Sequence, residues 1–191
     1  FNSIYGEWTI LDGLKYRMNF GPDLSIGRSG RFTGSQTNAR RQGAATASID
    51  ESFVLNYTIE NILTYNKQFN KVHNLNITGL QSFQQDRFVS VLGVPAETQQ
   101  YFRLGDASQI TGANTSLVEW SLLSYMGRIN YDYDEKYLVT ATLRADGSSR
   151  FGANTKWGYF PSIAVGWNIA RESFLENVEV LNTAKIRLSY G

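Results

Sequence analysis

The sequence contains no cysteine, three prolines and one histidine among its 191 residues. Without cysteine there is no disulfide framework and no thiolate metal site. His73 stands alone, on a face shared with Leu75 and Ile77. A histidine metal cluster and a Ser-His-Asp relay are therefore excluded, and the residue reads as structural. Charge of one sign is also missing: 18 Lys+Arg against 17 Asp+Glu leave +1, so nothing argues for a nucleic-acid partner. No apolar run approaches the roughly 18 to 20 residues of a membrane helix, and no basic-then-apolar signal opens the chain. What is plentiful is 42% apolar residues, which excludes a disordered tail, with 11 Phe, 11 Tyr, 4 Trp and 17 Gly. That balance favours strands and turns.

The apolar residues are spread onto every second position. In 121–144, Leu123, Tyr125, Gly127, Ile129, Tyr131 and Tyr133 alternate with Ser124, Met126, Arg128, Asn130 and Asp132. Beyond Asp134-Glu135-Lys136, the residues Tyr137, Val139, Ala141 and Leu143 alternate with Thr140, Thr142, Arg144 and Asp146. This is period two, the signature of strands with two unlike faces. A three-residue loop at 134–136 sets Tyr131 against Val139, Ile129 against Ala141 and Asn130 against Thr140, whereas a two-residue loop would mix the faces. Similar alternation runs through 53–65, 73–83, 14–20, 159–169 and 184–190, giving about eight strands.

The connections alternate in length. Asp12-Gly13, Asn70-Lys71 and 134–136 are short; about Arg28 to Ala47 and about Val91 to Thr115 are long. A glycine-rich stretch spans Gly147 to Lys156, and a break at Arg171 to Asn182 holds one or two helical turns near Phe174 and Leu175. Aromatics gather beside the short turns (Tyr16, Tyr65, Phe69, Tyr131, Tyr133, Tyr137), with aliphatics between, as in the girdles of a membrane barrel. The fold expected is an all-β antiparallel up-and-down meander forming part of a transmembrane barrel, with short periplasmic turns and long extracellular loops. Gly27, Gly30 and Gly34 lack the Gly-Lys-Ser/Thr of a phosphate loop and read as a mobile loop. Asp132, Asp134 and Glu135 lack the glycine and distal glutamate of a calcium loop and read as turn chemistry. No pair of carboxylates can be brought to one catalytic site, so an enzyme is not expected, and no cofactor is implied.

The segment Tyr137-Leu-Val-Thr-Ala-Thr-Leu-Arg-Ala-Asp-Gly-Ser-Ser-Arg-Phe-Gly152, followed by Lys156-Trp-Gly-Tyr-Phe-Pro-Ser-Ile-Ala-Val-Gly-Trp167, closely resembles the SusC/RagA family of TonB-dependent outer-membrane transporters. Gly13 to Gly21, Asn61 to Asn66, His73 to Ile77 and Lys185 to Gly191 resemble the same family in the same order. The motif residues are Asp146, Gly147, Ser148, Ser149, Arg150, Phe151, Gly152, Trp157, Phe160, Pro161, Ser162 and Trp167. Physically they read as structural: Gly147 and Gly152 would turn a hairpin at positive φ, Asp146 would bond its own turn, Arg150 would offer a donor fork, and Pro161 would sit at a strand start or bulge.

The resemblance implies an importer of oligosaccharide or peptide in the bacterial outer membrane, powered by TonB and capped by a SusD-like surface lipoprotein. It further implies a 22-stranded barrel around a plug, of which residues 1–191 would be one barrel part without the plug. On that reading, Leu123, Tyr125, Ile129, Tyr131, Val139, Ala141, Leu143, Ile163, Val165, Ile186 and Leu188 face outer-membrane lipid. Arg128, Asn130, Thr140, Thr142 and Arg144 face the lumen, and loop aromatics such as Phe102 could stack on sugar rings. Two alternatives remain at this point. One is a complete eight-stranded outer-membrane barrel with a structural or adhesion role, which requires the first and last strands to pair. The other is a soluble β-sandwich binding module.

Overall fold

A computed structural model describes residues 3–41, 43–97, 112–175 and 183–191. Phe102 and the latter part of the 171–182 break lie outside the described residues. The elements are β1 (Ile4–Leu11), β2 (Leu14–Thr33), β3 (Thr46–Phe69), β4 (His73–Glu97), β5 (Ala113–Tyr133), β6 (Tyr137–Ser148), β7 (Trp157–Asn168) and β8 (Lys185–Tyr190). Two 3-10 turns, Ile169–Arg171 and Ser173–Leu175, follow β7. The strands lie in one sheet in chain order, β1 to β8, so the meander is uninterrupted. Among the described residues β1 and β8 are its two outer strands, and the pairing that a closed eight-stranded barrel needs is not made.

Register follows the alternation. Tyr133 pairs with Tyr137, Tyr131 with Val139, Ile129 with Ala141, Asn130 with Thr140 and Arg128 with Thr142. The turn between them is closed by Lys136 N–H donating to the Tyr133 carbonyl at 2.9 Å. Asp134 and Glu135 both adopt φ of 51°, the left-handed pair that matches strand twist. Asn70 and Lys71 do the same at 50° and 61°.

The short turns are joined through the backbone to the neighbouring hairpin. Asn66 N–H donates to Gly13 O at 2.8 Å, Asp134 N–H to Val72 O at 2.6 Å and Asn168 N–H to Lys136 O at 2.7 Å. Each short turn therefore completes the ladder of the hairpin beside it.

Contacts divide the chain into two compact units, one of Pro22–Tyr57 and Gln85–Trp120, the other of Asn2–Gly21, Thr58–Gln84 and Ser121–Gly191. In the first, strands run further than the sequence pattern implies. The expected long loop from Arg28 is strand as far as Thr33, and the one from Val91 is strand as far as Glu97. Gly27 and Gly30 accordingly lie in β2 and not in a mobile loop. The extension is held by polar cross-strand pairs, with Arg28 to Glu51 at 3.4 Å, Arg87 to Glu119 at 3.7 Å and Ser90 Oγ to Ser116 Oγ at 2.7 Å. Backbone pairing persists there after apolar alternation has ended.

There is almost no core. Ala47 is the sole buried hydrophobic among the described residues, and the accessible surface is 13661 Å². A compact globular protein of this mass exposes about 9,200 Å². A single layer with apolar side chains standing free on one face is not a soluble two-sheet sandwich, whose inner faces cover one another.

Four motif residues depart from expectation. Gly147 lies inside β6, and neither it nor Gly152 has positive φ; among the described residues Gly13, at 81°, is the glycine that does. Gly147 serves close approach instead, since a Cβ there would meet the Trp157 ring at 2.9 Å. Asp146 accepts from Arg144 Nε at 2.8 and 2.9 Å, so its partner is the same-face neighbour on β6 and not its own turn. Pro161 is inside β7, opposite Leu143, rather than at a strand start or bulge. Ser148 N–H donates to Lys156 O at 3.0 Å, which makes the even-numbered pairs of this ladder the hydrogen-bonded ones. The Pro161 nitrogen therefore points away from β6, and no β6 bond is lost.

Candidate functional site: a two-faced sheet with a polar network

The register of β5 through β8 sorts the side chains into two sets. Odd residues of β5, β6 and β7 share a face with even residues of β8. That face carries Tyr125, Ile129, Val139, Ala141, Leu143, Ile163, Val165, Ile186 and Leu188, nearly all exposed. Leu123 and Tyr131 belong to it by register and are half-buried.

Aromatics close this face at both ends. Beside the short turns, His73 lies between Phe69 (ring centroids 4.9 Å) and Tyr133 (5.0 Å), and Tyr133 stacks on Tyr137 at 6.2 Å. The Tyr131 hydroxyl and His73 Nδ1 are 2.7 Å apart, which accounts for the lone histidine within a ring cluster. Glu172 then ties two more groups together, accepting from Tyr137 OH at 2.7 Å and Trp167 Nε1 at 2.8 Å. These two bonds, with the Lys136 ammonium nearby, hold its carboxyl below the usual carboxylate range.

A second aromatic group at the far ends of the same strands was not read from the sequence as a girdle. Tyr125 stacks on Trp157 at 6.1 Å, and Tyr159 is 68% exposed opposite Ala145. From Tyr137 to Ala145 a strand rises about 27 Å, or about 20 Å after a barrel-like tilt. The aliphatic residues lie between. The dimension is close to the apolar band of about 25 Å on outer-membrane barrels.

The opposite face is polar and internally bonded. Asn76 Nδ2 donates to Asn66 Oδ1 at 2.6 Å, Asn130 Nδ2 to Asn76 Oδ1 at 2.9 Å and Thr140 Oγ1 to Asn130 Oδ1 at 2.9 Å. One chain of bonds thus crosses β3, β4, β5 and β6. Beside it lies a cavity of about 420 Å³ lined by Asn74, Asp132 and Leu138 as well as this chain. Farther along, Arg128 Nε donates to Thr142 Oγ1 at 3.2 Å, and Arg144 reaches both Asp146 and the buried Ser124 (Oγ at 3.3 Å).

Arg128, Asn130, Thr140, Thr142 and Arg144 are thereby brought onto one face, joined by Phe160 and Ser162 from β7. Ser149 caps the β5 end by accepting from Ser121 N–H at 2.8 Å, and Ser148 accepts from Arg150 N–H at 3.3 Å. Phe151 and Gly152 lie in the exposed connection to β7. Trp157 and Trp167 stand on the apolar face. The asparagine chain was missed in the sequence because Asn66 and Asn76 become neighbours of Asn130 only once β4 and β5 are placed together. Among the described residues no group of His, Cys, Asp and Glu could hold a metal.

An antiparallel meander with a banded apolar face and a bonded polar face is a strip of transmembrane β-barrel wall. No protein-family model matches the sequence. Individual relatives do. The chain is 34% identical over 193 residues to the TonB-dependent receptor P3 of Formosa agariphila and 33% identical over 191 residues to the TonB-dependent receptor SusC of Bacteroides thetaiotaomicron. These matches take in 99% and 92% of the chain. The structure of the RagAB peptide transporter superposes on 97% of the chain with a TM-score of 0.88 at 17% identity, a likeness of fold. The chain belongs with the TonB-dependent receptors of the SusC/RagA type. It spans 19% and 18% of the length of those two relatives and 21% of the RagAB chain.

Proposed function

We propose that residues 1–191 form one part of the barrel domain of an active transporter that imports an oligosaccharide or peptide across the bacterial outer membrane. The observation that carries this reading is the pairing of faces, an aliphatic band between two aromatic groups on one side and a hydrogen-bonded polar network on the other. The apolar face meets outer-membrane lipid, where tyrosine and tryptophan settle at headgroup level. The polar face, with Arg128, Asn130, Thr140, Thr142 and Arg144, looks into the lumen. The short turns lie on the periplasmic side and the long connections outside.

Energy comes from TonB through parts of the protein beyond this chain, and a SusD-like surface lipoprotein assists capture at the outer end. The motif residues Asp146 to Gly152, Trp157, Phe160, Pro161, Ser162 and Trp167 shape the wall and perform no chemistry; the role is transport and not catalysis. Support comes from the TonB-dependent receptors among the relatives and from the peptide transporter among the structural neighbours.

Deleting the whole gene tests the proposal. Uptake of one nutrient class should be lost, and a protonophore should abolish the same uptake in the parent strain. Uptake that survives the protonophore unchanged would refute an energised transporter.

A further inference from the structure

The polar face of β5 to β8 contains a trough whose floor is small and whose walls are basic. The β7 residues on this face are Ser162, Ala164 and Gly166, and the β6 residues beside them are Thr142, Thr140 and Leu138. Arg128 rises from β5 on one side; Lys185 and Arg187 rise from β8 on the other, opposite Asn168 and Gly166. A cavity of about 460 Å³ is shared by Arg128, Arg187, Thr142, Ser162 and Ser189, and no carboxylate lines it.

Several basic side chains of this sheet are matched, with Lys15 to Glu7 at 3.3 Å, Lys136 to Asp134 at 2.9 Å and Arg144 to Asp146 at 2.8 Å. Among the described residues Arg128, Lys185 and Arg187 have no acidic partner. The one side-chain bond of Arg128 uses Nε toward Thr142, which leaves its terminal nitrogens free to donate into the trough.

We propose that this trough binds a linear ligand bearing carboxylate or sulfate groups at intervals. Guanidinium is the group best suited to such anions, through paired donors in one plane. The two arginines stand three strand spacings apart across the sheet and four residues apart along it, about 20 Å between their backbones. A lone carboxylate reaches one of them, whereas a chain with repeated acidic groups reaches both. Between them the hydroxyls of Thr140, Thr142, Ser162 and Ser189 offer donors and acceptors for the uncharged parts of the same chain. An acidic oligosaccharide and an acidic peptide share this chemistry.

The proposal rests on the reading of the polar face as inward, and its test separates the two. Full-length receptor purified in detergent is titrated calorimetrically with tetragalacturonate, tetraglutamate and neutral maltotetraose. Saturable binding of at least one acidic probe is expected, weakened about tenfold or more in the double variant Arg128→Gln, Arg187→Gln and unchanged in Lys71→Gln. Which acidic probe binds more tightly identifies the ligand class. Failure of both acidic probes to bind, or equal binding by the double variant, overturns the trough. Loss of thermal stability in the double variant with no probe bound to the parent means that a carboxylate of the same protein fills the trough, which also overturns it. In parallel, Thr142→Cys is treated with a charged and with a lipid-soluble maleimide. Labelling by the lipid-soluble reagent alone overturns the inward reading itself, while labelling by the charged reagent preserves that reading whatever the titration gives.

Discussion

Two kinds of glycine occur in this wall, and they are expected to respond oppositely to substitution. A Cβ on Gly147 would meet three Trp157 ring atoms at 2.9 to 3.0 Å, so Gly147→Ala must displace a ring that also stacks on Tyr125. A loss of about 1 to 3 kcal/mol is expected, the range for overpacking. Gly79 and Gly127 meet nothing within 4 Å, and neither has positive φ. Gly127→Ala should therefore be neutral or slightly stabilising. Urea midpoints of the refolded receptor, with the Tyr125 and Trp157 fluorescence as the local signal, check both. The sequence marked Gly147 as special but gave the wrong cause, because a glycine-serine run suggests a turn until the opposing tryptophan is placed.

Glu172 offers a second test at this scale. Its folded-state carboxyl titrates below the ordinary value of 4.5, first because Tyr137 and Trp167 donate to it. The stabilisation is present above pH 4.5 and is lost as pH falls through the lower folded value. Fluorescence of Trp167 should report release of the 3-10 segment in acid, and Glu172→Gln should flatten that acid limb. An unchanged limb in the variant would assign it to another carboxylate.

At the scale of elements, register was legible and strand length was not. Residues 121–144 carry an unbroken alternation with a three-residue interruption, and these two facts alone fix the β5 to β6 pairing. Strands β2 to β5 outrun their apolar pattern, and the stretches that continue them mix polar residues such as Arg28, Glu51, Ser90 and Ser116 with apolar ones such as Leu117 and Val118, with no clean alternation. Nothing in such a stretch distinguishes a solvated strand from a loop until the partner strand supplies the opposing charge or hydroxyl. The same limit hid the basic trough, since Arg187 acquires its neighbours only after β8 pairs with β7 across the break that follows Asn168. That Arg128, Asn130, Thr140, Thr142 and Arg144 share one face was legible because β5 and β6 are a single hairpin.

Two expectations belong to this scale. Ala141→Arg places a charge in the middle of the apolar band and should cost about 2 to 4 kcal/mol in a bilayer. Thr142→Arg, one position along on the other face, should cost far less; equal losses in refolding titrations into lipid vesicles would dissolve the distinction between faces. In the turn 70–72, Lys71 holds φ of 61°, a conformation costing a non-glycine residue roughly 1 kcal/mol or more. Lys71→Gly should raise stability by up to about that amount, read as a shift in urea midpoint.

For the molecule as a whole, the exposed apolar side chains set the solvent. Leu143, Ile163, Ile186 and Leu188 are each more than half exposed, and the sheet provides no second layer to cover them. The 191-residue chain in water is expected to aggregate or to lose its strands, and in detergent micelles to recover them. Circular dichroism with light scattering, in buffer and in micelles, distinguishes this from a soluble domain, which would remain monomeric and ordered in buffer. Composition alone argued the reverse, because alternation dilutes 42% apolar residues below the threshold of any hydropathy window.

The backbone bonds between the short turns and the adjoining hairpins bear on how such a wall can change over generations. Asn66 to Gly13, Asp134 to Val72 and Asn168 to Lys136 make each short turn a shared part of two hairpins. An in-frame insertion there would shift a tyrosine ring, a ladder and the adjoining hairpin together. At the opposite end, among the described residues 34–45, the connection bonds mainly to itself, with Thr37 N–H to Gly34 O and Gly43 N–H to Arg40 O. Residues inserted within 34–45 are expected to disturb little beyond that loop, unlike insertions beside Ser149, which bonds Ser121 at the end of β5. The 34–45 connection is thus where a change of length is expected to be tolerated, adding new binding surface while the rest of the wall stays as it is.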